Sequence, residues 1–330
     1  MRFLVLGGTR FLGLALVREL LDAGHAVCVV HRGVHEPEQL LDVEHIHVER
    51  LALRERREDL LRFSPDVAID LAAMTAAEAE ATVDVLGSSI PLVAASSGDV
   101  YRACTSVFEN EITDAVPLSE DAPLREGPTP DREVVPPGWN YDPESYEKLD
   151  VERTFLDAGG VICRLPMVYG EHDYKRREEF VLRRVRAGRT RVPVGAGGFL
   201  WSRGYAPQLA RGIRLAAENA DEGEVFNLAE QTCAPIRLWV EQILAAADHG
   251  AELVRVPDDD LPGDLAVTGE IPQPWMMDAA KAARQLGWVH APADECVVES
   301  VRWHLDNPPP EGPGDFSADD AALAAADRAG

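Results

Sequence analysis

The sequence predicts an α/β fold, a doubly wound parallel sheet with a smaller C-terminal α/β lobe. Three observations point to it. Short hydrophobic runs alternate with amphipathic stretches through residue 166, the first run ends in a glycine-rich turn, and the pattern changes after residue 166. At 330 residues and 46% hydrophobic, the chain can bury a large core domain and a lobe.

Phe3–Leu6 reads as the first strand and ends at Gly7-Gly8-Thr9-Arg10-Phe11-Leu12-Gly13. A helix follows, with Leu12, Ala15, Leu16 and Leu20 at helical spacing, and stops at Gly24 before the next apolar run, Ala26–Val30. Strand, glycine turn, helix and strand within about 30 residues make the βαβ unit of a Rossmann dinucleotide-binding fold. Bare N–H groups and a helix N-terminus then meet at one point, which suits a pyrophosphate. The middle glycine of the usual fingerprint is replaced by Arg10. The second strand ends Val30-His31-Arg32-Gly33 without the acid that accepts the ribose 2′-hydroxyl of NAD. Arg32, with Arg10 nearby, suits a 2′-phosphate, so NADP is favoured and NAD is the alternative.

Further strands are expected at 46–48, 67–71, 92–95 and 161–165, with helices at 54–63, 75–87 and 143–158. Residues 102–140, rich in Pro, Glu and Asp, read as a long loop. In the second part, strands near 191–194, 199–205 and 224–228 alternate with helices near 176–187, 206–219 and 235–247. This gives a dinucleotide-binding domain over 1–166, an interleaved substrate lobe over 167–306 and a mobile acidic tail over 307–330.

The net charge is −25, with three lysines against 29 arginines. Such a surface repels phosphate backbones and argues against nucleic-acid binding. Its acidity fits a high-salt cytoplasm or a GC-rich genome equally. No run of 18 apolar residues and no leader is seen, so a cytoplasmic protein without membrane contact is expected. The five cysteines lack metal or disulfide spacing. His45 and His47 share a strand face but read as surface residues, and no metal is expected.

Several segments together resemble the extended short-chain dehydrogenase/reductase family, the NAD-dependent epimerase/dehydratase group, over residues 1–306. Gly7–Gly13 is similar to its GGTGFLG turn and Asp66–Ala73 to its DxVxHxAA strand. Ser96–Tyr101 is similar to SSxxVYG, Lys148–Glu152 to KxxxE, and Arg164–Gly170 to RxxxVYG. Residues 204–210 and 278–288 look like its later landmarks. The resemblance implies cofactor contacts from Gly7, Gly8, Thr9, Arg10, Phe11, Leu12 and Gly13. It adds His31, Arg32, Leu71, Ala72, Ala73, Lys148, Pro166 and Val168. It also implies a small-molecule substrate such as a nucleotide sugar, and a homodimer.

The family's catalytic Tyr stands four residues before the Lys, because i and i+4 share a helix face. Here that position is Glu144; the nearby tyrosines are Tyr141 and Tyr146, and Tyr146 lies across a straight helix from Lys148. Three readings follow. Tyr146 or Tyr141 reaches the site by altered geometry, Glu144 serves as acid/base, or the chain binds cofactor without the usual chemistry. The plain alternative for Lys148 is an exposed Glu144–Lys148–Glu152 helix face. Ser97 stands where the resemblance places a catalytic Ser or Thr. Asp99 stands where the family's dehydratases carry an acid, or is only a turn residue. On the substrate side, His172, Tyr174, Arg176, Arg177, Trp201, Arg203 and Tyr205 suit a base and a diphosphate. The expected activity is NAD(P)-dependent epimerase, dehydratase or reductase chemistry by hydride transfer. The alternative is a non-catalytic NAD(P)-binding regulator or scaffold.

Overall fold

The computed structural model describes residues 1–40, 42–87, 90–129 and 142–329. Six strands come from the first half: β1 (Arg2–Leu6), β2 (Ala26–His31), β3 (Glu44–His47), β4 (Val67–Asp70), β5 (Leu92–Ser97) and β6 (Val161–Leu165). With β7 (Met167–Tyr169), β8 (Arg191–Val194), β9 (Arg203–Tyr205), β10 (Val225–Asn227) and β11 (Glu252–Arg255) they form three sheets among the described residues. The main sheet is parallel, in the order β10-β6-β5-β4-β1-β2-β3. The order reverses between β1 and β4, which opens a crevice at their carboxyl ends.

The helices are α1 (Phe11–Asp22), α2 (Arg57–Arg62), α3 (Ala76–Thr82), α4 (Arg102–Glu109), α5 (Lys148–Asp157) and α6 (Glu179–Arg186). They continue with α7 (Ala206–Asn219), α8 (Ile236–Ala246), α9 (Ala280–Leu286), α10 (Ala293–Asp306) and α11 (Ser317–Ala329). One face of the main sheet packs Val5, Val29 and Ile69 against Leu16 and Leu20 of α1 and Ile213 of α7. The other packs Leu4, Cys28 and Ala94 against Ala79 of α3 and Phe155 of α5. Both faces are covered, so the central strands β1, β2, β4 and β5 are mostly apolar on both sides. A third core, around Trp239, Ile243 and Val301, holds the C-terminal lobe.

Five expectations are corrected. The stretch 54–63 is a 3₁₀ turn over Arg50–Arg56 followed by α2. The expected loop 102–140 begins with α4, whose Ala103 and Cys104 turn inward; residues 130–140 lie outside the described ones. The helix expected over 143–158 starts only at Lys148. Asp142 and Pro143 set a single 3₁₀ turn, the chain is extended at Tyr146, and Glu147 caps the new helix by accepting the Leu149 N–H at 2.9 Å. The strand near 224–228 belongs to the main sheet, pairing with β6, and α7 lies against α1 with Arg214 bonded to Glu19 at 2.8 Å. The boundary at residue 166 is therefore crossed twice by later chain.

The tail is the fifth. Residues 317–329 form α11, anchored where composition alone suggested solvent. Buried Asp319 pairs with fully buried Arg184 at 2.7 Å, and Phe316 lies under the guanidinium of Arg183 at 4.5 Å. An acidic helix holds here because the lobe offers it arginines: Arg191 bonds Asp327 and Arg189 bonds Asp320. No helix of the described residues is long and apolar enough to cross a membrane.

Candidate active site

The glycine turn is dictated by close contacts. Gly7 has φ +92° and its missing Cβ would stand 2.9 Å from Ala72 Cβ. A Cβ on Gly13 would fall 2.1 Å from the Gly7 carbonyl oxygen, so this residue lets α1 start directly on the turn. Arg10 is extended, with φ −138° and ψ 149°, a conformation any side chain adopts. The replaced glycine thus costs the backbone nothing.

Beside this turn lies a groove of about 320 Å³. Gly7, Thr9, Arg10, Phe11, Leu12 and Gly13 line it, with His31 and Arg32 from the end of β2, Leu71 and Ala72 beyond β4, and Val168 of β7. Gly8 lies beneath, where a Cβ would strike Val17 and Val29 at 2.9 Å. Arg50, Met74, Glu78, Tyr174 and Arg177 also line the groove. Tyr174 and Arg177, expected on the substrate side, belong here instead, Tyr174 standing edge-on to Phe11 at 6.0 Å. The cradle that a Cβ would fill, the open start of α1 and the paired arginines fit a dinucleotide.

Asp70 stands where the resemblance has a histidine. Its carboxylate accepts the Ala72 and Ala73 N–H groups at 3.0 Å each and the Thr82 hydroxyl at 2.8 Å, and it pairs with Arg50. It ties the end of β4 into the groove wall, and the sequence signal for that role is its place at the histidine position of the DxVxHxAA pattern.

The second centre lies at the ends of β4 and β5. Lys148, only 4% exposed, donates to the Ala73 carbonyl at 2.6 Å and the Ala95 carbonyl at 3.1 Å. Burial pushes its ammonium below the usual lysine value, while the Asp99 carboxylate pulls the other way. Tyr146 donates its hydroxyl to Asp99 Oδ2 at 2.7 Å. Burial raises the Asp99 carboxyl above its ordinary value, against the Tyr146 hydrogen bond and the charges of Arg125 and Lys148. Its Oδ1 is buried and has no hydrogen-bond partner among the described residues. Ser97 Oγ accepts the Asp99 N–H at 3.2 Å, which leaves the serine proton for another acceptor. Arg125 clamps the corner, donating to the Asp99 carbonyl at 2.9 Å and to Glu147 at 2.8 Å.

The structure thus gathers Ser97, Asp99, Tyr146 and Lys148. Asp99 is more than a turn residue. Glu144 is exposed and lies on the 3₁₀ turn before the helix, so it does not share a helix face with Lys148. Tyr141 lies outside the described residues. The exposed Glu144–Lys148–Glu152 face is also corrected. Glu152 is buried, accepting from Ser96 at 2.6 Å and from Arg164 at 2.8 and 2.9 Å. Arg164 in turn donates to the Tyr101 hydroxyl at 3.0 Å. Three motifs of the resemblance are therefore one buried network that seats α5 on the sheet.

Of the expected substrate residues, Trp201 is linked to the β5 end through a second tryptophan. It stacks on Trp275, whose indole N–H donates to the Gly98 carbonyl at 3.2 Å. The structure places the others in packing contacts. Arg203 is buried over the Trp239 ring and donates to the Ala234 carbonyl. Arg176 holds His304 at 3.3 Å and the Asn307 carbonyl. His172 lies on Trp303 with ring centroids 4.7 Å apart, and Tyr205 is packed beside Tyr169. Pro166 joins β6 to β7, and the Ala73 carbonyl holds Lys148.

Residues 3–87 match the model of the NAD dependent epimerase/dehydratase family. The match spans about a quarter of the chain, and the order of the parallel sheet and the glycine turn at the end of β1 agree with it. A 4-hydroxy-2-methyl-3-oxo-4-farnesyl-3,4-dihydroquinoline-1-oxide ketoreductase of Stigmatella aurantiaca is 26% identical over 273 residues, 78% of this chain and 76% of that protein. Chloroplast stem-loop binding protein of 41 kDa b from Arabidopsis thaliana is 26% identical over 69% of this chain and 58% of its own length. The dTDP-glucose 4,6-dehydratase of Bacillus anthracis, solved with NAD, superposes with a TM-score of 0.70 at 16% identity, covering 93% of this chain and 97% of that one.

Proposed function

We propose that this chain is an NADP-dependent enzyme that interconverts a secondary alcohol and a ketone, with Tyr146 and Asp99 moving the proton. The observation that carries the reading is the Tyr146 hydroxyl bonded to a buried, partly unsatisfied Asp99 next to Ser97 and Lys148. Bound in the groove, the nicotinamide supplies or accepts hydride. Lys148, fixed by two carbonyls, presents its remaining N–H to the ribose. Ser97 donates to the reacting oxygen, and Tyr146 gives that oxygen its proton, replenished from Asp99; oxidation runs the same path backwards. The raised Asp99 carboxyl suits a group that holds a proton between turnovers. Arg10 and Arg32 at the groove support the 2′-phosphate. The Stigmatella ketoreductase favours net reduction, and the Bacillus dehydratase brings nucleotide sugars into the substrate panel.

The test is single-turnover NADPH oxidation against a panel of ketones and keto-sugar nucleotides, with Tyr146→Phe and Asp99→Asn. Turnover that both variants lose, with NADPH still bound, supports the reading. NADPH binding without turnover on any substrate supports the non-catalytic regulator, a role consistent with the lost i to i+4 register. Absence of NADPH binding overturns both.

A further inference from the structure

Strands β2 and β3 run parallel with His31 opposite His47, and His45 shares the same face of β3. The three rings converge, with centroids 5.0 Å apart for His31 and His45 and 4.7 Å for His31 and His47. The chain leaving β2 turns at Gly33, φ +75°, and brings Glu36 over them. Glu36 Oε1 lies 2.5 Å from His47 Nε2 and 3.8 Å from His31 Nε2. One ligand atom from each residue lies within 4.8 Å of every other. His45 and His47 are thus not isolated surface residues.

We infer that His31, Glu36, His45 and His47 form a binding site for one borderline divalent transition-metal ion, of which Zn²⁺ is the reference case. Three imidazoles and one carboxylate are a nitrogen-rich tetrahedral set, unlike the oxygen cages of Mg²⁺ and Ca²⁺. Tetrahedral bonds of about 2.1 Å place ligand atoms about 3.4 Å apart, so the site closes by movements of about an ångström. His45 is already oriented. Its Nε2 bonds the Leu40 carbonyl at 2.8 Å, which turns Nδ1 into the cluster, the outer-shell arrangement that metal-binding imidazoles use.

Without metal, His31 Nε2 and His45 Nδ1 share a proton at 2.8 Å, and the Gly33 N–H donates to His31 Nδ1. The ion replaces that proton and the one between His47 and Glu36. His47 moves its ring proton to Nδ1. His31 joins by the same shift as the Gly33 contact opens. His47 is half exposed, which gives the ion an entry path.

The test uses the full chain, free of added histidines and stripped of metal, titrated with Co²⁺ and then Zn²⁺. The expected result is one equivalent of Co²⁺ with intense tetrahedral d–d absorption, displaced by one equivalent of Zn²⁺ and unaffected by excess Mg²⁺. His45→Gln and His47→Gln each weaken binding at least about tenfold. Weak octahedral absorption, unsaturable binding, or binding unchanged in the variants overturns the site. If His45→Gln fails to fold, His47→Gln and Glu36→Gln, at exposed positions, decide the question.

Discussion

The Tyr146 hydroxyl reaches 47 residues back along the chain to donate a 2.7 Å hydrogen bond to Asp99. Tyr146 does this from extended backbone, one residue before the cap of the helix that carries Lys148. Tyr146 and Lys148 are thus set by a loop and a helix start rather than by one helix face.

Tyr146→Phe removes the hydroxyl and leaves the ring in place. Turnover is expected to fall by about 10² to 10⁴, the usual share of a positioned acid/base, with NADPH affinity unchanged. Stopped-flow absorbance and a fluorescence titration measure the two separately.

Arg32→Ala tests cofactor choice. A charge-assisted bond to a phosphate contributes about 1.5–3 kcal/mol, so NADPH binding should weaken roughly 10- to 100-fold while NADH binding barely changes. Equal losses for both cofactors would count against recognition of a 2′-phosphate.

Gly13→Ala drives a methyl group into the Gly7 carbonyl, which stood 2.1 Å from the missing Cβ. Backbone cannot swing aside as a side chain does. A loss of about 1–3 kcal/mol in chemical denaturation is expected, together with loss of cofactor binding.

Glu178 supplies a pH dependence. It is buried, accepts from Ser300, and burial raises its carboxyl from 4.5 to about 7. The folded state therefore holds this proton where the unfolded chain has released it. The contribution is full below about pH 4.5 and is lost as pH rises through about 7. Beside it His304 is pushed down to about 4, with the opposite slope up to about 6.5. Glu178→Gln keeps the His304 slope and removes the Glu178 one. Its stability relative to the parent should climb by roughly 2–3 kcal/mol between pH 4.5 and 7.5, followed by urea melts.

Asp319→Ala leaves Arg184 buried with Asp264 as its remaining carboxylate partner. The expected cost is about 3 kcal/mol, the low end for breaking a buried pair, read from denaturant midpoints.

The parallel sheet was legible because its strands are apolar on both faces and its glycine turn is locally forced; β1, β2, β4, β5 and β6 fall where the hydrophobic runs lie. The start of α5 was not. Glu144 and Lys148 keep helical i to i+4 spacing, and only the capping by Asp142 and Glu147 shows that the chain breaks between them. The Tyr146–Asp99 bond depends on that break, so the site could be named by its residues but not arranged. The end of the chain was misread because alanine and aspartate carry no apolar signal, and the arginines that pair with α11 lie about 130 residues earlier. The histidine cluster needs the β2–β3 register, which sequence spacing does not give.

Strand β10 has one further consequence. The C-terminal lobe is entered at residue 167, yet the chain returns to finish the first sheet at Val225–Asn227 before going back to the lobe. A chimera that joins residues 1–166 to a foreign lobe would lose the strand that covers β6 and the α7 surface that covers α1. Segments are therefore to be exchanged with relatives as single loops grafted into an intact chain, and not as halves.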